Sequence, residues 1–320
     1  MEQLAIELAR LDLNRYPDRE AIALREAVAA RHDVEPGNVF PSNGSNEAIQ
    51  LLLSVRGGAG RTAAIFSPTY TLHSHLSRLT GTKVGAHARG PDFHLTARMI
   101  EETLQAHQPD VLFLCIPNNP TGTLDDPSVI DAAFGGSSLV IVDEAYGEFG
   151  GAPSAAARVG ESDVAVVRTF SKAWAMAGMR LGYAIADQDL VVAMFERALP
   201  YHLDVVKQVA GRVAMQFAPQ TAERAAQIVA ERDRVVSELR EMKVTAWDSA
   251  ANFVLFRPPA DAAEVWGGLV SHSVLVRDLS TQPGLEGCLR VTTGTAPEND
   301  RFLGALADVL SATDATRETD

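Results

Sequence analysis

Thr169-Phe170-Ser171-Lys172-Ala173-Trp174-Ala175-Met176-Ala177-Gly178-Met179-Arg180 is the stretch on which the reading of this chain turns. The chain has only four lysines, Lys83, Lys172, Lys207 and Lys243. Lys172 is flanked by hydroxyls, followed by small residues, and has an arginine eight positions on. A hydrophobic strand, Val164 to Val167, runs straight into it. An amine at the end of a buried strand is desolvated, which lowers its pKa towards the range where it is nucleophilic. Thr169, Ser171 and Arg180 are able to hold an anion beside it. Taken alone, a Ser-Lys pair reads as an exposed lysine in a polar turn. The neighbouring segments decide otherwise.

Outward from this stretch, strands and helices alternate. Arg61 to Ser67 reads as a buried strand, Thr71 to Leu79 as the helix after it, Lys83 to Ala88 as a strand and Leu95 to His107 as a helix. Asp110 to Ile116, Ser138 to Val142, Val164 to Val167 and Leu181 to Ala186 are short apolar runs bounded by turn residues. Near-continuous apolar strands separated by helices imply an α/β fold with a mostly parallel sheet sandwiched by helices. From about residue 205 the pattern changes to a long charged helix, Thr221 to Met242, then a strand at Asn252 to Arg257. A helix, two short strands (Val274 to Arg277 and Cys288 to Thr292) and a closing helix, Glu298 to Leu310, follow. The expected organisation is a large α/β domain over 38–204, a smaller α+β domain from 1–37 and 205–310, and a disordered tail at 311–320.

In open α/β sheets ligands collect at the carboxyl ends of the strands, so the residues after each strand matter most. Ser42-Asn43-Gly44-Ser45-Asn46-Glu47-Ala48 precedes an apolar helix, and Ser45 and Asn46 read as caps of an N-terminus whose free N–H groups attract a phosphate. Simple capping explains that segment as well. Pro68-Thr69-Tyr70 places an aromatic where a flat ring stacks, although a buried tyrosine is more often core. Pro117-Asn118-Asn119-Pro120 sets two amides in a rigid turn; they suit a surface turn, and better a fixed donor aimed at a ring oxygen. Val142-Asp143-Glu144-Ala145-Tyr146 ends the most hydrophobic strand, where a carboxylate is costly unless paired with a cation. A protonated pyridine nitrogen is such a cation, and an amine beside an anion pocket is what pyridoxal phosphate requires. Metal binding is the rival for a strand-end acid, but no Gly-x-x-x-x-Gly-Lys loop accompanies it.

In this order, Asn-Asn-Pro-Thr-Gly, Asp-Glu-Ala-Tyr and Ser-Lys with its downstream arginine resemble the pyridoxal-phosphate-dependent aminotransferases of fold type I, from about Leu13 to Leu310. Arg277-Asp278, Gln282-Pro283-Gly284 and Gly287 to Thr295 make the likeness narrower, to the histidinol-phosphate aminotransferase group. The resemblance implies a fold-type-I sheet with a smaller α+β C-terminal domain and pyridoxal 5'-phosphate as cofactor. It implies that Lys172 links covalently to the cofactor and moves the Cα proton, that Asp143 pairs with the ring nitrogen, and that Tyr146 and Asn119 bond the ring oxygen. By the same resemblance Tyr70 stacks on the ring, and Ser45, Asn46, Thr169, Ser171 and Arg180 hold the phosphate. Tyr16 resembles the residue that reaches the phosphate from the partner subunit of a homodimer. Arg290 resembles the arginine that takes the substrate carboxylate, and Arg277 a second arginine for the substrate phosphate; guanidinium forks suit either anion. Members of that group carry an arm before the segment matching Leu13-Asn14-Arg15-Tyr16-Pro17; here twelve residues precede Leu13, so roughly thirty are expected to be lacking.

The expected reaction is transamination between histidinol phosphate and 2-oxoglutarate. Transamination of aromatic amino acids, decarboxylation of a phospho-amino acid and non-catalytic cofactor binding are the other readings. Composition narrows the partners. A net charge of −13 with no basic run argues against nucleic acid. No apolar stretch approaches about 18 residues, so no membrane span is expected. Two cysteines make no disulfide framework, and the eight histidines show no metal-ligand spacing; His73 and His75 lie two apart, on different faces of a helix. A reduced, cytoplasmic enzyme without a structural metal is the expectation.

Overall fold

The computed structural model describes residues 2–317 apart from 91, 135, 137 and 162. Seven strands form the larger sheet: β1 (Val39–Ser42), β2 (Thr62–Ser67), β3 (Lys83–Ala88), β4 (Val111–Cys115), β5 (Leu139–Asp143), β6 (Val164–Thr169) and β7 (Gly182–Ala186). Their order is β1-β7-β6-β5-β4-β2-β3. Only β7 runs against its neighbours β1 and β6; the others pair in parallel. The apolar runs are two-sided for a physical reason. Leu112, Leu114, Val140, Val142, Val164 and Val166 feed the core on one face. Val111, Phe113, Leu139, Ile141, Ala165 and Val167 feed the core on the other. Burying both faces of a strand leaves no position for an alternating polar residue.

β1 was not legible in the sequence, because Pro41 interrupts it. It lies at the edge of the sheet, where a missing N–H costs no ladder bond.

The second sheet is antiparallel, with order β10-β11-β9-β8: β8 (Thr245–Ala246), β9 (Phe253–Arg257), β10 (Arg277–Asp278) and β11 (Leu289–Thr292). The helices Ala218–Glu241, Ala262–Ser271 and Ala296–Arg317 close its core with Val235, Leu239, Val265, Leu269, Phe302 and Leu306. Two expectations change here. The strand placed at Val274–Arg277 begins only at Arg277, since Trp266 Nε1 donates to the Val276 carbonyl at 3.0 Å and removes it from the ladder. The tail placed at 311–320 is helical as far as Arg317, continuing the closing helix; 318–320 lie outside the described residues.

Candidate active site

One cleft opens at the carboxyl ends of β4, β5 and β6. Of the eleven cofactor residues expected from the sequence, ten line it, together with Cys115 and Ala145. Tyr16 does not. It is 82% exposed and stacks on Tyr201 with ring centroids 4.7 Å apart.

At the cleft's anionic end, Gly44 caps the Ser45–Arg56 helix, so Ser45 and Asn46 occupy its first turn rather than the cap position expected of them. Gly44 sits at φ +82°, and a Cβ there would come within 3.1 Å of Arg180 Nη2. Gly182 in β7 lets the strand approach the same helix end, since its Cβ would lie 2.5 Å from the Ser45 nitrogen. Arg180 Nη1 donates to Ser171 Oγ at 3.4 Å, and the Ser171 N–H donates to Thr169 Oγ1 at 3.1 Å. Helix N–H groups, three hydroxyls and a guanidinium converge there, a donor set for a phosphate.

Across the floor, Asp143 is 2% exposed at the end of β5. Its Oδ1 accepts from the Ala145 N–H at 3.0 Å, and its Oδ2 lies 3.0 Å from His73 Nε2. His73 is buried on the Thr71–Leu79 helix, a role that metal-ligand spacing does not bring out. Its position three residues after Tyr70, on the same side of that helix, was the available signal. Among the described residues no group of three or more His, Cys, Asp or Glu is placed to hold a metal ion.

The neighbouring acid behaves differently. Glu144 turns away, accepting from Ser154 Oγ and the Ala155 N–H, each at 2.7 Å, and facing Arg168 at 3.7 Å. Burial raises its pKa against the pull of Arg168. The two amides of the Pro117–Pro120 turn also separate. Asn118 is wholly buried and pins the turn, accepting from Thr69 Oγ1 and donating to the Pro68 carbonyl and Thr121 Oγ1. Only Asn119 faces the cleft.

Lys172 Nζ lies 5.2 Å from the Tyr146 ring centroid. Its pKa is lowered, first by burial, then by Arg290 and Arg180, with Asp143 opposing. The Tyr146 pKa is raised, mainly by burial, so its hydroxyl keeps its proton. The Tyr70 hydroxyl donates to Asn46 Oδ1 at 3.3 Å, tethering that ring to the anionic end. Cys115 also borders the cleft, and burial followed by Asp143 pushes its thiol up to about 12, which keeps it protonated and inert.

The second sheet supplies the arginines. Arg290 in β11 is opposite Arg277 in β10 in the antiparallel register. Its Nη1 donates to Asn119 Oδ1 at 2.5 Å, its guanidinium lies 4.6 Å from the Phe253 ring centroid, and its buried Nε has no partner among the described residues. Phe253 in turn meets Tyr146 edge-on at 5.1 Å. Arg277 is exposed.

A strand-end acid opposite a lysine with a lowered pKa, beside a helix N-terminus and a guanidinium pair, defines an aminotransferase-like centre. The family model described as "Aminotransferase class I and II" matches residues 2–306, and the chain belongs to that family. It is 42% identical over 319 residues to the histidinol-phosphate aminotransferase of Mycobacterium leprae (strain Br4923), covering 96% of this chain and 83% of that one. Its fold matches the crystal structure of the histidinol-phosphate aminotransferase from Clostridium acetobutylicum with a TM-score of 0.89 at 22% identity, covering 97% and 96% of the two chains. The Sinorhizobium meliloti structure of a histidinol-phosphate aminotransferase "in complex with pyridoxal-5'-phosphate" matches with a TM-score of 0.88 at 22% identity, covering 97% and 86%. The chain is an aminotransferase, and its family implies pyridoxal phosphate.

Proposed function

We propose that this chain transfers the amino group of histidinol phosphate to 2-oxoglutarate, giving imidazole-acetol phosphate and glutamate. The observation that carries the reading is the Arg277–Arg290 register pair, with Arg290 bonded to Asn119, a residue of the cleft wall, although neither arginine itself lines the cleft. Two guanidinium groups serve the phosphate of one substrate and the carboxylates of the other equally well. The names of the relatives agree.

The residues fit pyridoxal phosphate: the donor set of Ser45, Asn46, Thr169, Ser171 and Arg180 suits its phosphate, Asp143 its ring nitrogen, and Lys172 its aldehyde. Bound there, it supplies an electrophilic aldehyde and a protonated ring that accepts the electron pair left when the substrate Cα loses a proton. The Asp143 carboxylate keeps a proton on the ring nitrogen, a role that favours a fixed anion over a neutral group. Lys172, held towards its neutral form, is the base for the Cα proton. Asn119 has its Oδ1 engaged by Arg290, which leaves its Nδ2 as a donor to the ring oxygen beside the protonated Tyr146 hydroxyl. Tyr70 covers the ring.

The proposed division is a large domain over 38–204 and a small one from 1–37 and 205–310; the two separate sheets support the split at 205–310, whereas Ala21, Leu24, Val28 and Ala29 pack into the core of the larger sheet. The active unit is a homodimer in which Tyr16 serves the partner's phosphate site. The exposure of Leu13, Tyr16, Leu199 and Tyr201 supports that. The cytoplasm is the proposed compartment; no described helix is long and apolar enough to cross a membrane.

The test is an amino-donor panel with 2-oxoglutarate. Histidinol phosphate is expected to be the best donor, with one glutamate formed per turnover. Equal rates with phenylalanine overturn the substrate assignment, and product without glutamate overturns the reaction class.

A further inference from the structure

Outside the cleft, the turn before the Ser45–Arg56 helix is gripped by a segment far away in sequence. The Asn43 backbone N–H donates to Glu47 Oε2 at 2.6 Å, and its Nδ2 reaches the same carboxylate at 3.1 and 3.2 Å. That Nδ2 also donates to the His202 carbonyl at 2.9 Å, while Oδ1 accepts from Lys207 Nζ at 2.8 Å. Lys207 lies in the first turn of the Val205–Met215 helix. Its ammonium also pairs with Asp204 Oδ2 at 2.8 Å, and the Asp204 side chain caps that helix by accepting the Lys207 N–H. His202 Nε2 meets the Pro41 carbonyl at 2.9 Å, and its ring lies flat on Phe40, 5.2 Å between centroids at 8°. The connector 202–207 therefore holds the turn at both Pro41 and Asn43. The Asn43 amide joins the Lys207 cation to the Glu47 anion, so each of its polar atoms is engaged. Neither Asn43 nor Lys207 lines the cleft.

We propose that Asn43 and Lys207 are a positioning pair that sets how tightly the cleft holds the phosphate of its cofactor. The inference rests on reading the Gly44-Ser45-Asn46 helix start as the phosphate site. Anion binding by helix N–H groups depends on where those groups point, and they point where Asn43 and Glu47 fix the preceding turn. The aldehyde end is tied to Lys172, on a different element. Loosening the turn therefore weakens the grip on the phosphate and leaves the other end of the cofactor alone.

The experiment titrates pyridoxal phosphate and its phosphate-free counterpart, pyridoxal, into the full-length apoprotein. Lys207→Met and Asn43→Ala are each expected to raise Kd for pyridoxal phosphate about tenfold and to leave Kd for pyridoxal unchanged. Lys207→Arg, which keeps the cation, is expected to stay near wild type. Thermal unfolding of the apoproteins checks that each variant folds; if Asn43→Ala does not, Lys207→Met, whose side chain is near the surface, decides. An unchanged pyridoxal phosphate Kd in a folded variant overturns the proposal. So does parallel weakening of both ligands, which is what general loosening produces. Wild-type protein that binds pyridoxal as tightly as pyridoxal phosphate overturns the phosphate site itself, a failure distinct from variants that retain a wild-type preference.

Discussion

His73 Nε2 and Asp143 Oδ2 stand 3.0 Å apart with both side chains buried, so the acid beneath the cleft is oriented by a histidine on a different element. The His73 ring lies flat on Phe113, 4.6 Å between centroids, and meets Tyr70 edge-on at 5.4 Å. With the Ala145 N–H on Oδ1, both carboxylate oxygens are held. His73→Phe keeps the packing and removes one of these bonds. A lost hydrogen bond to a buried carboxylate costs about 1–3 kcal/mol, so kcat is expected to fall about tenfold or more while cofactor stays bound. A wild-type kcat in that variant removes the positioning role.

Lys172→Ala is expected to abolish transamination and the visible absorbance of bound cofactor, with a Tm within a few degrees of wild type. The side chain reaches into the cleft rather than into a core, and surface-like truncations of this kind cost little stability. Measurable turnover by the variant contradicts the assignment.

Asp143→Asn removes the anion and little else. Cofactor is expected to remain bound, because its phosphate and aldehyde contacts lie elsewhere. Turnover is expected to drop by roughly a hundredfold or more, starting from the lower end of what a positioned acid–base group contributes. Near-normal turnover in stopped-flow assays argues against ring-nitrogen protonation by this acid.

Arg290 bears on Lys172 as well as on substrate. Its charge is the largest cause of the lowered Lys172 pKa after burial. Removing it raises that pKa, so the neutral amine forms at higher pH, and the midpoint for capture of pyridoxal phosphate by the apoprotein moves upward in Arg290→Met. The same variant loses a charge-assisted bond to the substrate anion, about 2 kcal/mol, so kcat/KM falls at least about tenfold. A pH midpoint that stays put removes Arg290 as a cause of the depressed amine.

His32 makes a separate, structural prediction. Its ring meets the Tyr183 hydroxyl at 2.9 Å, and its pKa is lowered to about 3, first by burial, then by Arg168 and Arg31. The unfolded chain takes up this proton near the ordinary 6.5. Between those values the unfolded state binds a proton that the folded state does not. Stability is therefore full above pH 6.5 and declines as pH falls towards 3, by about 1.4 kcal/mol per unit for this one group. His32→Gln is expected to flatten the urea midpoint between pH 6.5 and 4; an unaltered slope locates the acid sensitivity elsewhere.

Much of this was legible in the chain itself, for identifiable reasons. Doubly buried strands such as Leu139–Asp143 announce themselves as unbroken apolar runs, and the polar residues after them stand out because no core explains them. What the sequence hid depends on contacts between distant positions. Nothing local distinguishes Asn118 from Asn119; one is claimed by Pro68 and Thr121, the other by Arg290, 171 positions away. Gly44 displaced Ser45 from the cap because the turn needs a positive φ beside Arg180. Trp266 shortened β10 by taking a carbonyl that a strand pattern assigns to the ladder.

The contact between Arg290 and Asn119 has a kinetic corollary. A guanidinium already laid across an aromatic face and clasped by an amide has little wandering left to give up when an anion arrives. Capture then becomes an exchange, in which the incoming carboxylate or phosphate takes over one N–H from Asn119, and departure of product is assisted by that amide reclaiming it.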